Sequence, residues 1–303
     1  MDIKNVDNAS YWQVDHEIKK IAKLSRAEVL KSSQAWEKYS WTRKYFEDKP
    51  NEGYFVWIKK QPVCSLFTCV SLVSKNIKQQ MKNLLIIEEN LKVELQGTCN
   101  SLAKNTGSSH KAVGKIILKK NSSLKYKHIH SWKEDSIVDT DYEFLLGENS
   151  KLSYTYKASD TPKLLNIKNK ITCLDGAKAL IKILADCKNT RFNTKDEIIL
   201  QGKEASGISK LRLISRKDSI INAHSRILAK SASMGHLDCH SLMTDKKSKV
   251  SLIPEVICKN KDAQVTHEAS IGRVSEEQLN YLRTRGLTEE EALNLIIAGF
   301  LKV

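Results

Sequence analysis

Proline and glycine are scarce in this chain of 303 residues, with 4 of the first and 12 of the second. Collagen-like repeats and long flexible linkers need those residues in bulk, so both are excluded. No stretch reaches the roughly 18 uninterrupted apolar residues of a membrane helix. The opening MDIKNVDNASYWQ also lacks an apolar signal core. A cytoplasmic location away from membranes is expected. A GxxxxGK[ST] phosphate loop is missing too, so no nucleotide is expected on this chain and any ATP hydrolysis falls to a partner. Carboxylate pairs of the kind used in glycoside hydrolysis are lacking on strand-like segments.

What is present is basic charge: 50 Lys and Arg against 35 Asp and Glu, a formal net charge of +15. The lysines are scattered instead of forming a block, which fits a solvated surface better than a polyanion site. A basic nucleic-acid-binding β protein is the rival from another class, but interleaved aromatic and basic positions on strands are missing and nucleic acid is not the expected partner. Seven cysteines, an odd number, are spread between Cys64 and Cys258. In a reducing compartment they are thiols, each a small core residue or a soft ligand. Cys64, Cys69, Cys173, Cys187 and Cys258 are expected in apolar packing, Cys258 being the readiest exception.

Three regions follow from the patterning. Residues 1–50 read as helical, because Ser10–Gln13 and Ser25–Glu28 fit capping boxes and Val14, Ile18 and Ile21 recur at helical spacing. Residues 51–272 carry short alternating runs such as KVELQG, KLSYTYKA and KLRLIS. Turn signals at Asn90, Asn121, Asn149, Asn189 and Asp218 separate them, which predicts an all-β core. Residues 273–303 hold two capped helices, opening at Ser275 and Thr288 and stopped by Gly286 and Gly299. Together they make a helical hairpin with one greasy side, suited to packing on its own core or to docking a partner.

The segment from His267-Glu268-Ala269 through Gly272, Glu276–Gly286 and Glu289–Phe300 resembles the C-terminal signature of the SufB/SufD family of iron–sulfur cluster assembly scaffolds. GHLDCHSLM with Pro254-Glu255 is similar to the stretch holding that family's essential cysteine, here Cys239. GTCNS and HIHSW resemble a Gly-Cys turn and a following tryptophan turn, placing Cys99 and Trp132. The resemblance implies a right-handed parallel β-helix, or β-solenoid, with terminal helices. It implies a homodimer through the β-helix and a SufC-type ABC ATPase gripping the hairpin at Leu279, Leu282, Leu293, Ile296, Ile297 and Phe300. It also implies a transient iron–sulfur cluster, expected as 4Fe–4S, with a cysteine desulfurase or another sulfur donor upstream and apo acceptor proteins downstream. Cys239 and His267 are the expected metal ligands, with Glu268 as ligand or support, and Cys99 with Trp132 marks a sulfur-transfer route. A SufD-like helper without its own cluster is the alternative within the family.

The residues add their own constraint. Cluster ligands are deprotonated thiolates, assisted by imidazole or carboxylate. Alternation along a strand places Leu237 and Ser241 on the face of Cys239, and Asp238 and His240 on the other. His267 follows Cys239 by 28 positions. A coil of that length would stack the two side chains on neighbouring rungs, with Glu268 facing the opposite way.

Overall fold

The structure, a computed structural model, describes residues 10–102 and 107–302. Residues 1–9, part of the expected helical region, and Val303 lie outside the described residues. From Tyr54 to Arg273 successive strands alternate between a ten-stranded sheet and a nine-stranded sheet, and every strand pairs in parallel with the one two places further along. The result is a β-solenoid of about eight turns. Partners in adjacent coils are 27 residues apart at Ile137 and Leu164, and 31 apart at Cys99 and His130.

The alternation read from the sequence builds the coil directly. In the strand Lys151–Asp160, Leu152, Tyr154, Tyr156 and Ala158 are buried, while Lys151 and Lys157 face out. Repeated coil after coil, this pattern stacks an apolar column inside and spreads lysine along the flanks, which is where much of the scattered positive charge resides. The turns fall where asparagine was read: Asn90, Asn121, Asn149 and Asn189 have φ of 62°, 57°, 55° and 48°. Asparagine tolerates this left-handed conformation better than most side chains because its amide bonds locally.

The helical reading of the first fifty residues is corrected over most of that span. Tyr11–Val14 and Glu17–Ile21 form an antiparallel hairpin, and Ala27–Lys31 is a further strand. Val14, Ile18 and Ile21 satisfy either periodicity; the unpaired edge of the strand Leu66–Leu72 decides, because Tyr11–Val14 adds to it in parallel. Helix appears only at Ser32–Lys38 (α1) and in the 3-10 turn Ser40–Tyr45. These pack over a satellite cluster of Ala35, Phe55, Leu84, Ile86 and Ile117.

At the other end, Glu276–Thr284 (α2) and Glu289–Phe300 (α3) form the expected hairpin. Ser275 and Thr288 cap them, and Gly286 takes φ +92° between them. Gly299 lies inside α3 and does not end it. Ile297 is buried in the hairpin, whereas Leu279, Leu282, Leu293, Ile296 and Phe300 are half-buried and Leu295 is exposed.

Among the described residues no further strand covers the last coil. In Lys249–Cys258 and Gln264–Arg273 the inward residues Val250, Leu252 and Val265 are only half-buried, and Ile271 is exposed. The interior thus opens at the C-terminal end of the solenoid.

Tight stacking makes one glycine testable. Gly114 pairs with Tyr142 on the next rung, and a methyl group there would drive into the Tyr142 ring. Gly114→Ala is expected to lower the unfolding free energy by about 1–3 kcal/mol, as overpacking does. Gly299→Ala meets open space in a helix and is expected to stabilise by up to about 1 kcal/mol. Urea denaturation of both variants measures the contrast.

Candidate functional site

The interior of the solenoid is not uniformly apolar. In the nine-stranded sheet, Gly114, Tyr142, Asn169, Asp196 and Ser225 occupy one register position on successive rungs. In the other sheet the corresponding column runs His128, Tyr156, Ile183, Leu211, Cys239 and Ala269. A polar seam therefore connects a hub near Cys99 with Cys239 close to the open end. Along it, the buried oxygens Asn169 Oδ1 and Ser225 Oγ lack normal hydrogen-bond partners. Buried polar groups left this way are costly and rare in a plain structural core.

The hub arises because HIHSW alternates, aiming both histidines of that run inward, with Trp132 buried beyond them. Cys99 Sγ lies 3.4 Å from His128 Nε2, and the Nε2 atoms of His128 and His130 are 3.0 Å apart. Trp132 Nε1 donates to His130 Nδ1 at 3.0 Å, and Tyr156 Oη is 2.7 Å from the same nitrogen. Since an indole can only donate, neutral His130 carries its proton on Nε2 and offers it to His128. Desolvation holds these imidazoles uncharged: His128 is pushed down to about 3 and His110 to about 4, with His130 also far below the usual range. The same burial pushes the Cys99 thiol well up.

Cys239 sits in the strand Met234–Met243 with Leu237 and Ser241 on its face and only 2% of its surface exposed. Asp238 and His240 share the outer face, as strand alternation required, and their side chains are 2.9 Å apart there. Burial raises the Cys239 thiol to about 11. From the opposite sheet the Ser225 hydroxyl approaches the thiol without completing a normal hydrogen bond. One rung earlier is Asp196, fully enclosed, accepting from Asn169 Nδ2 at 2.7 Å and Thr194 Oγ1 at 2.8 Å. Burial outweighs those two bonds and pushes Asp196 up to about 7. The resting thiol is protonated, and a buried carboxyl that titrates near neutrality lies within electrostatic reach of it.

The expected stacking of His267 on Cys239 is corrected. His267 registers with Leu237, and Ala269 with Cys239, because this coil takes 30 residues and not 28. His267 is displaced by two positions along the same inward face and is exposed, its strand being the edge of its sheet among the described residues. Glu268 points to the outer face. There it lies 3.6 Å from His236 Nε2 and 3.8 Å from His240 Nε2, beside Asp238, which Arg212 grips at 2.5 and 2.9 Å. Ligand atoms of Asp238, His240 and Glu268 fall within 4.8 Å of one another. The backbone of the sheet separates this group from Cys239.

Among the other thiols, Cys69, Cys173 and Cys187 are buried as expected, while Cys64 and Cys258 are exposed. Cys64 and Cys258 correct the reading that placed them in apolar packing: Cys64 lies in the connection between the strands Tyr54–Ile58 and Leu66–Leu72, and Cys258 ends the strand Lys249–Cys258 of the last coil. His128, His130, Asp196 and Ser225 were not singled out from sequence. Two histidines at i and i+2 in an alternating run were the available signal for the first pair, and a lone aspartate on the inward phase of FNTKDEIIL for the third.

Fold and thiols together define a solenoid scaffold carrying one cysteine at a buried imidazole hub and another beneath its open end. Residues 70–300 match the family model described as SUF system FeS cluster assembly, SufBD core domain, and the chain belongs to that family. It is similar to an iron–sulfur cluster assembly SufBD family protein of Methanothermobacter thermautotrophicus, 25% identical over 300 residues covering 91% of this chain and 73% of the relative. It is likewise similar to one of Archaeoglobus fulgidus, 25% identical over 319 residues, or 99% of this chain and 86% of the relative. A third, from Pyrococcus horikoshii, is 26% identical over 261 residues, 83% of this chain and 57% of the relative.

Proposed function

We propose that this chain is a non-catalytic scaffold on which a nascent iron–sulfur cluster is built and then handed to apo acceptor proteins. The observation that carries the reading is Cys239, a thiol held under the last closed coil, with His267 exposed on the same inward face just beyond it. A cluster meant for transfer needs few strong ligands, so one thiolate with imidazole help suits assembly better than a full cysteine set. Cys239 and His267 act as ligands, with a 4Fe–4S product. Glu268, turned to the outer face, supports the terminal strand and approaches the cluster only from a second copy.

Two unpaired terminal strands and half-buried inward residues favour pairing of this end with another copy, giving a homodimer through the β-helix. The half-buried face of the hairpin, at Leu279, Leu282, Leu293, Ile296 and Phe300, with Ile297 as its core, is where a SufC-type ABC ATPase docks and supplies ATP hydrolysis. Sulfur from a cysteine desulfurase or another donor enters at Cys99, beside Trp132, and follows the polar seam to Cys239. The cytoplasm is the proposed location, supported by the seven cysteines, all read as free thiols suited to a reducing compartment; separately, among the described residues no helix is long and apolar enough to cross a membrane.

Anaerobic reconstitution with ferrous iron and sulfide, read by absorbance and Mössbauer spectroscopy, tests the scaffold reading. Wild-type chain is expected to hold a cluster. A chain that never does so, alone or with the ATPase, supports the SufD-like helper instead. For the docking face, the double variant Leu293→Asp, Ile296→Asp is expected to lose co-purification with the ATPase while the solenoid keeps its circular dichroism spectrum.

A further inference from the structure

The hub around Cys99 has a geometry that sulfur passage does not require. A tetrahedral zinc ion with Zn–N of about 2.0–2.1 Å and Zn–S of about 2.3 Å sets its nitrogen ligands about 3.3 Å apart and sulfur about 3.5 Å from nitrogen. Here the two Nε2 atoms are 3.0 Å apart and the Cys99 sulfur is 3.4 Å from His128 Nε2. All three side chains are buried, and their ligand atoms fall within 4.8 Å of one another. Acceptors for the remaining ring N–H groups are at hand, Tyr156 Oη 2.7 Å from His130 Nδ1 and Tyr154 Oη 3.4 Å from His128 Nδ1, although in the metal-free arrangement His130 Nδ1 accepts from Trp132.

A second observation concerns His110. Its Nδ1 donates to Gln79 Oε1 at 2.6 Å, which leaves Nε2 as a bare lone pair. That Nε2 is buried and has no hydrogen-bond partner. Its ring is 5.1 Å from Trp132, and it lies near enough to influence both His128 and His130. An open acceptor on a buried imidazole in the neighbourhood of two facing histidines is a polar group that needs a partner.

We propose that Cys99, His128 and His130 bind one divalent transition-metal ion of the zinc–ferrous iron class inside the solenoid, at a site separate from Cys239. Binding breaks the Cys99 S–H bond; sulfur keeps the electron pair for the metal and one proton leaves to solvent. The proton on His130 Nε2 moves to Nδ1, where Tyr156 Oη accepts it. Trp132 Nε1–H then loses its acceptor, so the indole reports on occupancy. Metal binding and sulfur acceptance use the same thiol and exclude one another at any moment. The inference goes beyond the scaffold reading and does not depend on Cys239.

The test uses full-length protein expressed and purified anaerobically, with metal analysis as isolated and titration with Co²⁺ as a spectroscopic probe. One equivalent of zinc or iron per chain, or a one-equivalent thiolate-to-cobalt charge-transfer band with tetrahedral d–d bands and a change in tryptophan fluorescence, is expected. Cys99→Ser should abolish the charge-transfer band, and His128→Gln and His130→Gln should weaken binding at least tenfold. Cys239→Ala should leave band and stoichiometry unchanged, which separates this site from the cluster site. X-ray absorption of the zinc-loaded wild type should give one sulfur and at least two nitrogens per metal, a readout no misfolded variant can confuse. Absence of stoichiometric metal and of the band in wild type, or a band that persists in Cys99→Ser or vanishes in Cys239→Ala, overturns the proposal.

Discussion

Cys239→Ala should reconstitute on the order of tenfold less cluster than wild type under identical anaerobic iron and sulfide, because Cys239 is the one buried cysteine among the described residues from 200 onward, Cys258 at the end of the uncovered strand Lys249–Cys258 being exposed. The fold should survive. Removing one sulfur from this site leaves a small cavity costing about 1 kcal/mol, well within the stability of a domain this size. Absorbance in the charge-transfer region, normalised to iron content, is the measurement. Equal cluster loading in wild type and variant would remove Cys239 from the chemistry. Because His267 is exposed and offset by two positions, His267→Ala should cost less than Cys239→Ala and act mainly on cluster lifetime.

The second large effect is a pH dependence with an unusual sign. Buried carboxylates are mostly paired with cations, and they stabilise the folded state as pH rises. Asp196 has only Asn169 and Thr194 as partners, and burial raises it from 3.8 to about 7. Between those values the folded state holds a proton that the unfolded chain has released. The contribution of Asp196 to stability is therefore complete below pH of about 4, and it is lost as pH climbs through about 7. The full swing is about 4 kcal/mol by linkage. Asp196→Asn keeps the shape and removes the titration. The stability difference between variant and wild type should shift in favour of the variant by about that amount from acid to mildly alkaline pH, as read by urea denaturation across the range. A difference that stays flat with pH would mean Asp196 ionises as an ordinary carboxyl. The same substitution should slow metal-dependent deprotonation of Cys239 if Asp196 receives the thiol proton across Ser225.

Where periodicity is strict, the sequence was readable. Alternating runs such as KLSYTYKA and asparagines at turns each depend on one or two neighbouring residues, so strands and their punctuation could be placed. The hairpin at Glu276–Phe300 was equally plain, since caps at Ser275 and Thr288 are local. The first coil was misread because Val14, Ile18 and Ile21 fit a helix as well as a hairpin, and only the docking edge of Leu66–Leu72 distinguishes them. Register was the other limit. Coil length varies from 27 to 31 residues between Leu164 and Cys99 pairings, so a spacing of 28 could not by itself say that His267 stacks on Leu237 and not on Cys239. For the same reason the hub stayed hidden. Cys99 and His130 are partners across a full coil, and nothing in either local segment announces the other.

The uncapped C-terminal coil has a mechanical consequence. In a stack where each turn is held chiefly by its two neighbours, a terminal turn held on one side only is the first to peel away. Transient loss of the pairing between Met234–Met243 and Gln264–Arg273 would lift Ala269 off the sulfur of Cys239 while the remaining turns stayed locked. A thiol sealed at rest could thus be reached in bursts, with the breathing rate of one strand setting how often cargo gets in or out.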